Sequence, residues 1–249
     1  MLKRLLKRGE PTSAAIPAGE RVYAVGDIHG RRDLLDILLR KIDADDFARG
    51  EARTTLIFLG DLMDRGSESR GVVERLMQLA ETGGRVRFLM GNHEEVFLKA
   101  AAGDRAALRF LIRIGGQSTI LSYGVSHAEY DACDFDELAE LLAERVPQEH
   151  LAFLQGFQDH VEIGDYLFVH AGIRPRLPIE EQTGADLRWI RAEFLEYRGD
   201  HGKIVVHGHS ITDEVDEQPN RIGIDTGAFA SGRLTAIGLE GTERWYLST

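Results

Sequence analysis

Five short polar clusters hold the residue types that could do chemistry in this chain. They are Gly26-Asp27-Ile28-His29-Gly30, Gly60-Asp61-Leu62-Met63-Asp64-Arg65-Gly66, Gly91-Asn92-His93-Glu94, His170-Ala171-Gly172 and His207-Gly208-His209. Asp, Asn and His are the hard and borderline donors that hold divalent ions, and flanking glycines let the backbone turn tightly and come close to a ligand. The step of two residues from Asp27 to His29 can aim both side chains at one ion. Two Asp, one Asn and at least three His suffice for two ions if one carboxylate is shared, and Asp61, in the middle of the set, is the natural bridge. Two cations about 3.5–4 Å apart clamp the attacking and leaving oxygens of a phosphoryl displacement and acidify a bound water.

The segments before these clusters must place them. Arg21 to Gly26, Thr54 to Leu59, Val86 to Met90, Tyr166 to Val169 and Lys203 to Val206 are short apolar runs that read as strands. Helical stripes follow the first two clusters, through Leu34, Leu35, Leu38, Leu39 and Ile42, and through Val72, Val73, Leu76, Met77 and Ala80, and a helix is expected from Glu94 to Ala102. Strands alternating with helices imply a sheet covered by helices, with ligand sites at the carboxyl ends of the strands. From about Asp104 to Phe157 the texture is mainly helical, with Leu108, Leu111 and Ile112 on one stripe and Leu138, Leu141 and Leu142 on another, and reads as an insertion. Strands return at Arg221 to Ile224 and Arg233 to Leu239, with no fixed-period repeat and no low-complexity linker.

The chain has 249 residues, 43% hydrophobic and 29% charged, with 27 Gly and 6 Pro, which excludes a disordered or collagen-like polymer. One domain over residues 20–249 is expected, carrying the insertion at about 104–157 and preceded by a tail, residues 1–19. With 41 acidic against 30 basic residues, a formal charge of −11 excludes a broad face for a nucleic-acid duplex. The single Cys133 excludes an internal disulfide framework and a thiolate metal cluster, so metal ligands must be oxygen and nitrogen. No apolar run approaches the ~20 residues that span a bilayer. The basic opening Met1 to Arg8 lacks the apolar core and cleavage site of an export signal and reads as a solvated tail, so a cytoplasmic protein is expected.

In this order, Gly-Asp-Ile-His-Gly, Gly-Asp-Leu-Met-Asp-Arg-Gly and Gly-Asn-His-Glu resemble the signature of the calcineurin-like metallophosphoesterases. Asp64-Arg65-Gly66 resembles the extension found in the phosphoprotein phosphatase branch. From about Arg21 to Leu239 the chain looks like the compact bacterial and bacteriophage lambda type serine/threonine phosphatases and the symmetrical diadenosine tetraphosphate hydrolases. The resemblance implies an α/β fold of two packed mixed β-sheets flanked by helices, with the helical insertion as a cap or wall. It also implies that Asp27, His29 and Asp61 bind a first metal and that Asp61, Asn92, His170 and His209 bind a second. His209 is preferred to His207 because Gly208-His209-Ser210 aligns with a Gly-His-Thr element of the family, which leaves His207 behind the ligands or at the rim. Mn²⁺ is the implied ion, with Fe and Zn as alternatives.

By the same resemblance His93 is the general acid that protonates the departing oxygen, Asp64 holds its imidazole, and Arg65 faces the phosphoryl oxygens. Leu187-Arg188-Trp189-Ile190-Arg191 is similar to the segment that supplies a second phosphate-binding arginine, which favours Arg191, with Arg188 and Arg174 in reserve. Many family members carry Arg before Gly-Asn-His-Glu where this chain has Met90, so phosphate clamping is weaker here or another arginine substitutes. The implied function is a two-metal phosphatase that hydrolyses phosphomonoesters by direct attack of a metal-bridging hydroxide, with phosphoserine and phosphothreonine in proteins as substrates. Symmetrical hydrolysis of diadenosine tetraphosphate is the alternative. A non-catalytic interaction module on the same fold is a third reading, disfavoured because no ligand is missing.

Other residues have plainer readings. His127, His150, His160 and His201 lie outside the clusters and belong to the surface or to satisfied core positions. Glu94, in the first turn of a helix, suits a dipole or capping role better than ligation. Asp225-Thr226-Gly227 has no second copy, as an aspartic protease would need, and reads as a structural turn. Cys133 lacks the arginine of a Cys-x5-Arg phosphatase, and neither Asp43-Ala44-Asp45 nor Asp134-Phe135-Asp136 follows an apolar strand as an aspartyl-phosphate site would. Gly199 to Lys203 precedes a strand and reads as a turn, not a nucleotide loop.

Overall fold

In the first strand, β1 (Glu20–Val25), Tyr23 and Val25 point to one face while Val22 and Ala24 point to the other, and all four are fully buried. A strand covered on both sides must be apolar throughout, which is why the runs preceding the clusters lack alternation. The computed structural model describes residues 14–249, in which β1, β2 (Arg53–Phe58) and β3 (Arg85–Phe88) pair in parallel. The second sheet contains β4 (His160–Ile163), β5 (Tyr166–Val169), β6 (Ile204–His207), β7 (Asp216–Gln218) and β8 (Arg221–Gly223), with β5, β6 and β8 parallel. The chain then returns to the first sheet, where β9 (Thr235–Glu240) lies antiparallel to β1 and β10 (Glu243–Ser248) closes a hairpin on β9. The strand orders are β10-β9-β1-β2-β3 and β4-β5-β6-β8-β7, so both sheets are mixed.

Val22, Ala24, Ile57, Tyr166, Phe168 and Val206 fill the space between the sheets. The outer face of the first sheet is covered by α1 (Arg32–Arg49), α2 (Ser69–Glu81) and α3 (Asn92–Ala101). A helical segment follows, made of α4 (Arg105–Leu111), a wide turn at Ile112–Gly116, α5 (Gln117–Ser122), α6 (His127–Ala132), α7 (Phe135–Arg145) and α8 (Gln148–Gln155). On the outer face of the second sheet, Phe194 packs on Leu167, Val169 and Val205, brought there by α9 (Gly184–Trp189) and α10 (Ala192–Leu195). The last short helix is α11 (Ala228–Ser231). The result is the expected sandwich of two packed mixed sheets flanked by helices.

Three strands were not expected, β4, β7 and β10. Each lies at a sheet edge or carries polar residues, such as Asp-Glu-Gln in β7, and so leaves no apolar run to read. The first helix was expected to end its stripe at Ile42 and continues to Arg49, because polar contacts replace apolar ones there: Asp46 meets the buried Arg21 at 2.7 Å, and Asp45 accepts from Tyr23 Oη at 2.5 Å and Trp245 Nε1 at 2.8 Å. Residues 14–19, read as the end of a solvated tail, pack on the sheets instead. Ile16 is buried and donates its N–H to Gly241 O at 2.8 Å, and Ala15 donates to Asp165 Oδ2 at 2.9 Å. The basic stretch Met1 to Arg8 lies outside the described residues. Among those described, no helix is long and apolar enough to cross a membrane.

Candidate metal centre

Each polar cluster follows the carboxyl end of a strand, and because β1, β2 and β3 run in parallel, as do β5 and β6, these ends share one edge of the sandwich. The loops that leave them are conformationally demanding. Among the described residues, six non-glycine residues have positive φ, and five of them are His29, Asp61, Asp64, Arg65 and His209. Such backbones cost about 1–3 kcal/mol each and persist only where surrounding contacts enforce them. Here the contacts are explicit. The fully buried Glu94 accepts from the N–H groups of Asp61 at 2.8 Å, Leu62 at 2.8 Å and Gly91 at 3.1 Å. Ile28 and His29 donate to Asp61 O at 3.0 and 2.9 Å.

These loops bring all six donors predicted from sequence into one buried region. Asp61 is central: its Oδ2 lies 3.7 Å from His29 Nε2 and its Oδ1 lies 3.4 Å from His170 Nε2. Donor atoms of His29, Asp61 and His93 all fall within 4.8 Å of one another, and so do those of Asp61, His170 and His209. Asp61 is common to both sets. Asn92 Oδ1 stands 3.0 Å from His170 Nε2, and both carboxylate oxygens of Asp27 accept from His209 N–H at 3.1 Å. Two glycines make this packing possible. A Cβ on Gly208 would lie 2.1 Å from Asp27 Oδ1, and one on Gly91 would lie 2.3 Å from Asp61 Oδ1.

The protonation pattern suits cations. His29 Nδ1 is 2.7 Å from Met63 O and His170 Nδ1 is 2.9 Å from Leu59 O. A carbonyl can only accept, so Nδ1 carries the proton in each ring and Nε2 turns its lone pair to the centre. Burial pulls His29 down to about 3 and lowers His170 and His209, keeping all three neutral at ordinary pH. His209 Nε2 is buried with no hydrogen-bond partner. Burial opposes ionisation of Asp61, but the His93 ring, whose Nε2 lies 3.8 Å from Oδ2, favours it when charged, and the carboxyl is held below the usual range. Asp27 is pushed the other way by burial and by Asp225 and Asp61, and neither Asp27 nor Asp225 has an ion-pair partner among the described residues. Buried carboxylates and lone pairs without a buried ammonium or guanidinium to answer them fit divalent metal ions.

His93 is oriented from both ends. Its Nδ1 is 2.6 Å from Asp64 Oδ2, and its backbone N–H donates to Asp61 Oδ1 at 3.0 Å. Burial opposes its charging, but Asp61 and Asp64 together raise it above the ordinary histidine value. Arg65 Nη2 is 3.3 Å from His93 Nε2, and its guanidinium lies over the Phe229 ring at 4.6 Å. The three candidates for a second arginine separate clearly. Arg188 is taken up by Asp159 at 2.5 Å and Glu95 at 3.2 Å, and Arg174 by Asp186 at 2.7 Å and Glu193 at 3.4 Å. Exposed Arg191 makes no ion pair among the described residues and sits close enough to help depress His170 and His209.

Some placements refine the expectation. Of the two places expected for His207, behind the ligands or at the rim, the rim is ruled out by its burial. The ring is buried beneath Phe194, with Nδ1 donating to Gly208 O at 3.0 Å and Nε2 3.4 Å from Arg221 Nη1. Asp225 does form a turn, accepting from Gly227 N–H at 2.9 Å, but its other oxygen is buried without a partner and burial pushes its carboxyl up to about 6. Its position after the apolar Ile222–Ile224 is the same signal that marked the other clusters. Thr119 and Ser69, which hydrogen bond to Asp64, had no local sequence signal.

A family description, calcineurin-like phosphoesterase, matches residues 20–229. The chain is 31% identical over 231 residues to a symmetrical bis(5'-nucleosyl)-tetraphosphatase of Ralstonia nicotianae, covering 91% of this chain and 65% of that protein. It is 30% identical over 222 residues to serine/threonine-protein phosphatase 1 of Salmonella typhimurium, covering 86% and 89%. Among solved structures it superposes on a proposed diadenosine tetraphosphatase with a TM-score of 0.64 and 25% identity, over 94% of this chain and 98% of that one. The chain spans about half to two thirds of the length of the symmetrical tetraphosphatases that it matches.

Proposed function

Because this chain belongs to the calcineurin-like phosphoesterases, in the branch of the phosphoprotein phosphatases, we propose that it is a two-metal phosphatase hydrolysing phosphomonoesters by direct displacement, with phosphoserine and phosphothreonine in proteins as its substrates. The observation that carries this reading is the sharing of Asp61 between two donor sets, one with His29 and His93 and one with His170 and His209, each within 4.8 Å, with Asp27 tied to the second through His209 N–H. Asp27, His29 and Asp61 would hold one cation, and Asp61, Asn92, His170 and His209 the other. Two divalent ions so placed supply polarisation of the phosphoryl oxygens and acidification of a water. Manganese suits the mixture of carboxylate, carboxamide and imidazole, with iron and zinc as alternatives.

The chain's own residues do the rest. Arg65 and Arg191 bind the phosphoryl oxygens, Arg65 from beside the His93 ring, its Nη2 3.3 Å from Nε2. As water attacks phosphorus and the ester P–O bond breaks, His93 Nε2 gives its proton to the departing oxygen, releasing an alcohol and inorganic phosphate. Asp64 accepts from Nδ1 and keeps the ring aimed. Residues 20–249 act as one domain on this reading, and a cytoplasmic setting agrees with the lone Cys133.

A second reading, symmetrical hydrolysis of dinucleoside polyphosphates, is favoured by the 31% identity over 91% of this chain to a relative of that name. The test sets a phosphopeptide beside diadenosine tetraphosphate with manganese-loaded protein. Faster turnover of the phosphopeptide is expected. Preferential release of adenosine diphosphate from the dinucleotide would replace the first reading with the second, and no turnover of either or of an aryl phosphate would leave a binding module.

A further inference from the structure

Asp64 is held by a residue from outside the strand-end loops. The Thr119 hydroxyl, at the start of α5, lies 2.6 Å from Asp64 Oδ1 and 2.9 Å from the N–H of the same residue. Ser69 Oγ is 3.0 Å from that N–H and 2.9 Å from Thr119 Oγ1. Asp64, Ser69 and Thr119 are all completely buried. A hydroxyl has one proton and two lone pairs. Thr119 therefore donates to the carboxylate, accepts from the amide and takes the Ser69 proton on its remaining lone pair. With Oδ1 occupied in this way, Oδ2 is the oxygen left for His93 Nδ1, 2.6 Å away. Four residues earlier in this segment, the wide turn adds a second link, since Gly115 O accepts from Arg65 N–H at 3.0 Å.

We infer that Thr119 is a positioning residue for proton transfer: through Asp64 it fixes the His93 imidazole, so the helical segment braces the reacting groups as well as walling the site. The inference rests on the reading of His93 as proton donor. Valine at 119 has nearly the same shape but leaves Asp64 Oδ1 without a donor in a dry environment, freeing the carboxylate to rotate. Serine keeps the hydroxyl.

Variants T119V, T119S and H93N are compared as manganese-loaded protein on phenyl phosphate, whose leaving group needs a proton, and on dinitrophenyl phosphate, whose leaving group does not. H93N is expected to slow phenyl phosphate far more than the dinitrophenyl ester. T119V is expected to show the same selectivity at smaller size, with kcat on phenyl phosphate down about tenfold and KM and bound manganese unchanged, and T119S to restore it. In metal-free protein, the low-field proton resonance of His93 Nδ1–H is expected to be kept in T119S and displaced in T119V. If H93N slows both esters alike, the donor reading fails and takes the inference with it. If H93N discriminates while T119V slows both alike, or leaves the resonance unmoved, Thr119 is structural only and the inference is overturned. Should T119V fail to fold, T119A makes the same comparison.

Discussion

Both carboxylate oxygens of Asp27 accept the N–H of His209, each at 3.1 Å, and this contact joins a loop of the first sheet to a loop of the second. The proposed donors for two cations are thereby drawn from both halves of the sandwich, and the missing Cβ of Gly208 is what lets Asp27 and His209 meet. Replacing Gly208 by alanine should cost about 1–3 kcal/mol by overpacking and weaken manganese binding. Calorimetric titration and thermal melting measure the two effects. An alanine variant that binds manganese as the natural chain does would show that the contact is dispensable.

Asp61 is the side chain common to both donor sets. Manganese present at a hundredfold excess over its dissociation constant should stabilise the fold by about 2.7 kcal/mol, and chelation should remove both this gain and turnover. Asp61→Ala is expected to lose the gain, lower the bound metal below two ions per chain and abolish hydrolysis. Undiminished, metal-independent turnover by Asp61→Ala would refute the two-metal mechanism.

The arginines give a third test. Arg191→Ala should lower kcat/KM by about 10–100-fold, the loss of a charge-assisted contact to phosphate, without changing metal content. Arg188→Ala and Arg174→Ala should change kcat/KM little, because Asp159, Glu95, Asp186 and Glu193 already engage those side chains. Equal losses at all three positions would argue against a phosphate contact specific to Arg191.

A fourth concerns acid stability. Asp186 sits in the first turn of α9, and although burial opposes its ionisation, Thr183 at 2.7 and 3.0 Å and Arg174 at 2.7 Å hold its carboxyl below the usual value. A depressed folded-state pKa stabilises the fold above the unfolded value, near 3.9 for aspartate, and that contribution is lost as pH falls through the folded value. Asp186→Asn should therefore cost about 1 kcal/mol at neutral pH, and the gap to the natural chain should close in acid. Denaturant melts across pH 2–7 follow it. A constant gap would remove the linkage.

How far the sequence could be read depended on the range of the signal. Asp27, Asp61, Asn92, His170 and His209 each follow an apolar run, and parallel pairing carries run ends to a common edge, so a local pattern located distant partners. Asp225 also follows an apolar run, and the turn read from Asp-Thr-Gly is the one it forms with Gly227. Thr119 is separated from Asp64 by 55 positions and is one polar residue in a helical stretch, so only packing reveals it. The edge strands β4, β7 and β10 failed for the opposite reason: half-exposed and polar, they gain their order from a neighbour and not from their own composition.

His29, Asp61, Asp64, Arg65 and His209 all adopt backbones that glycine would tolerate better. Glycine at any of them would relax the loop and delete the group the loop exists to present. Heat tolerance and turnover should therefore pull against each other in these few turns, and variants selected for survival at high temperature should gain their robustness elsewhere in the sandwich.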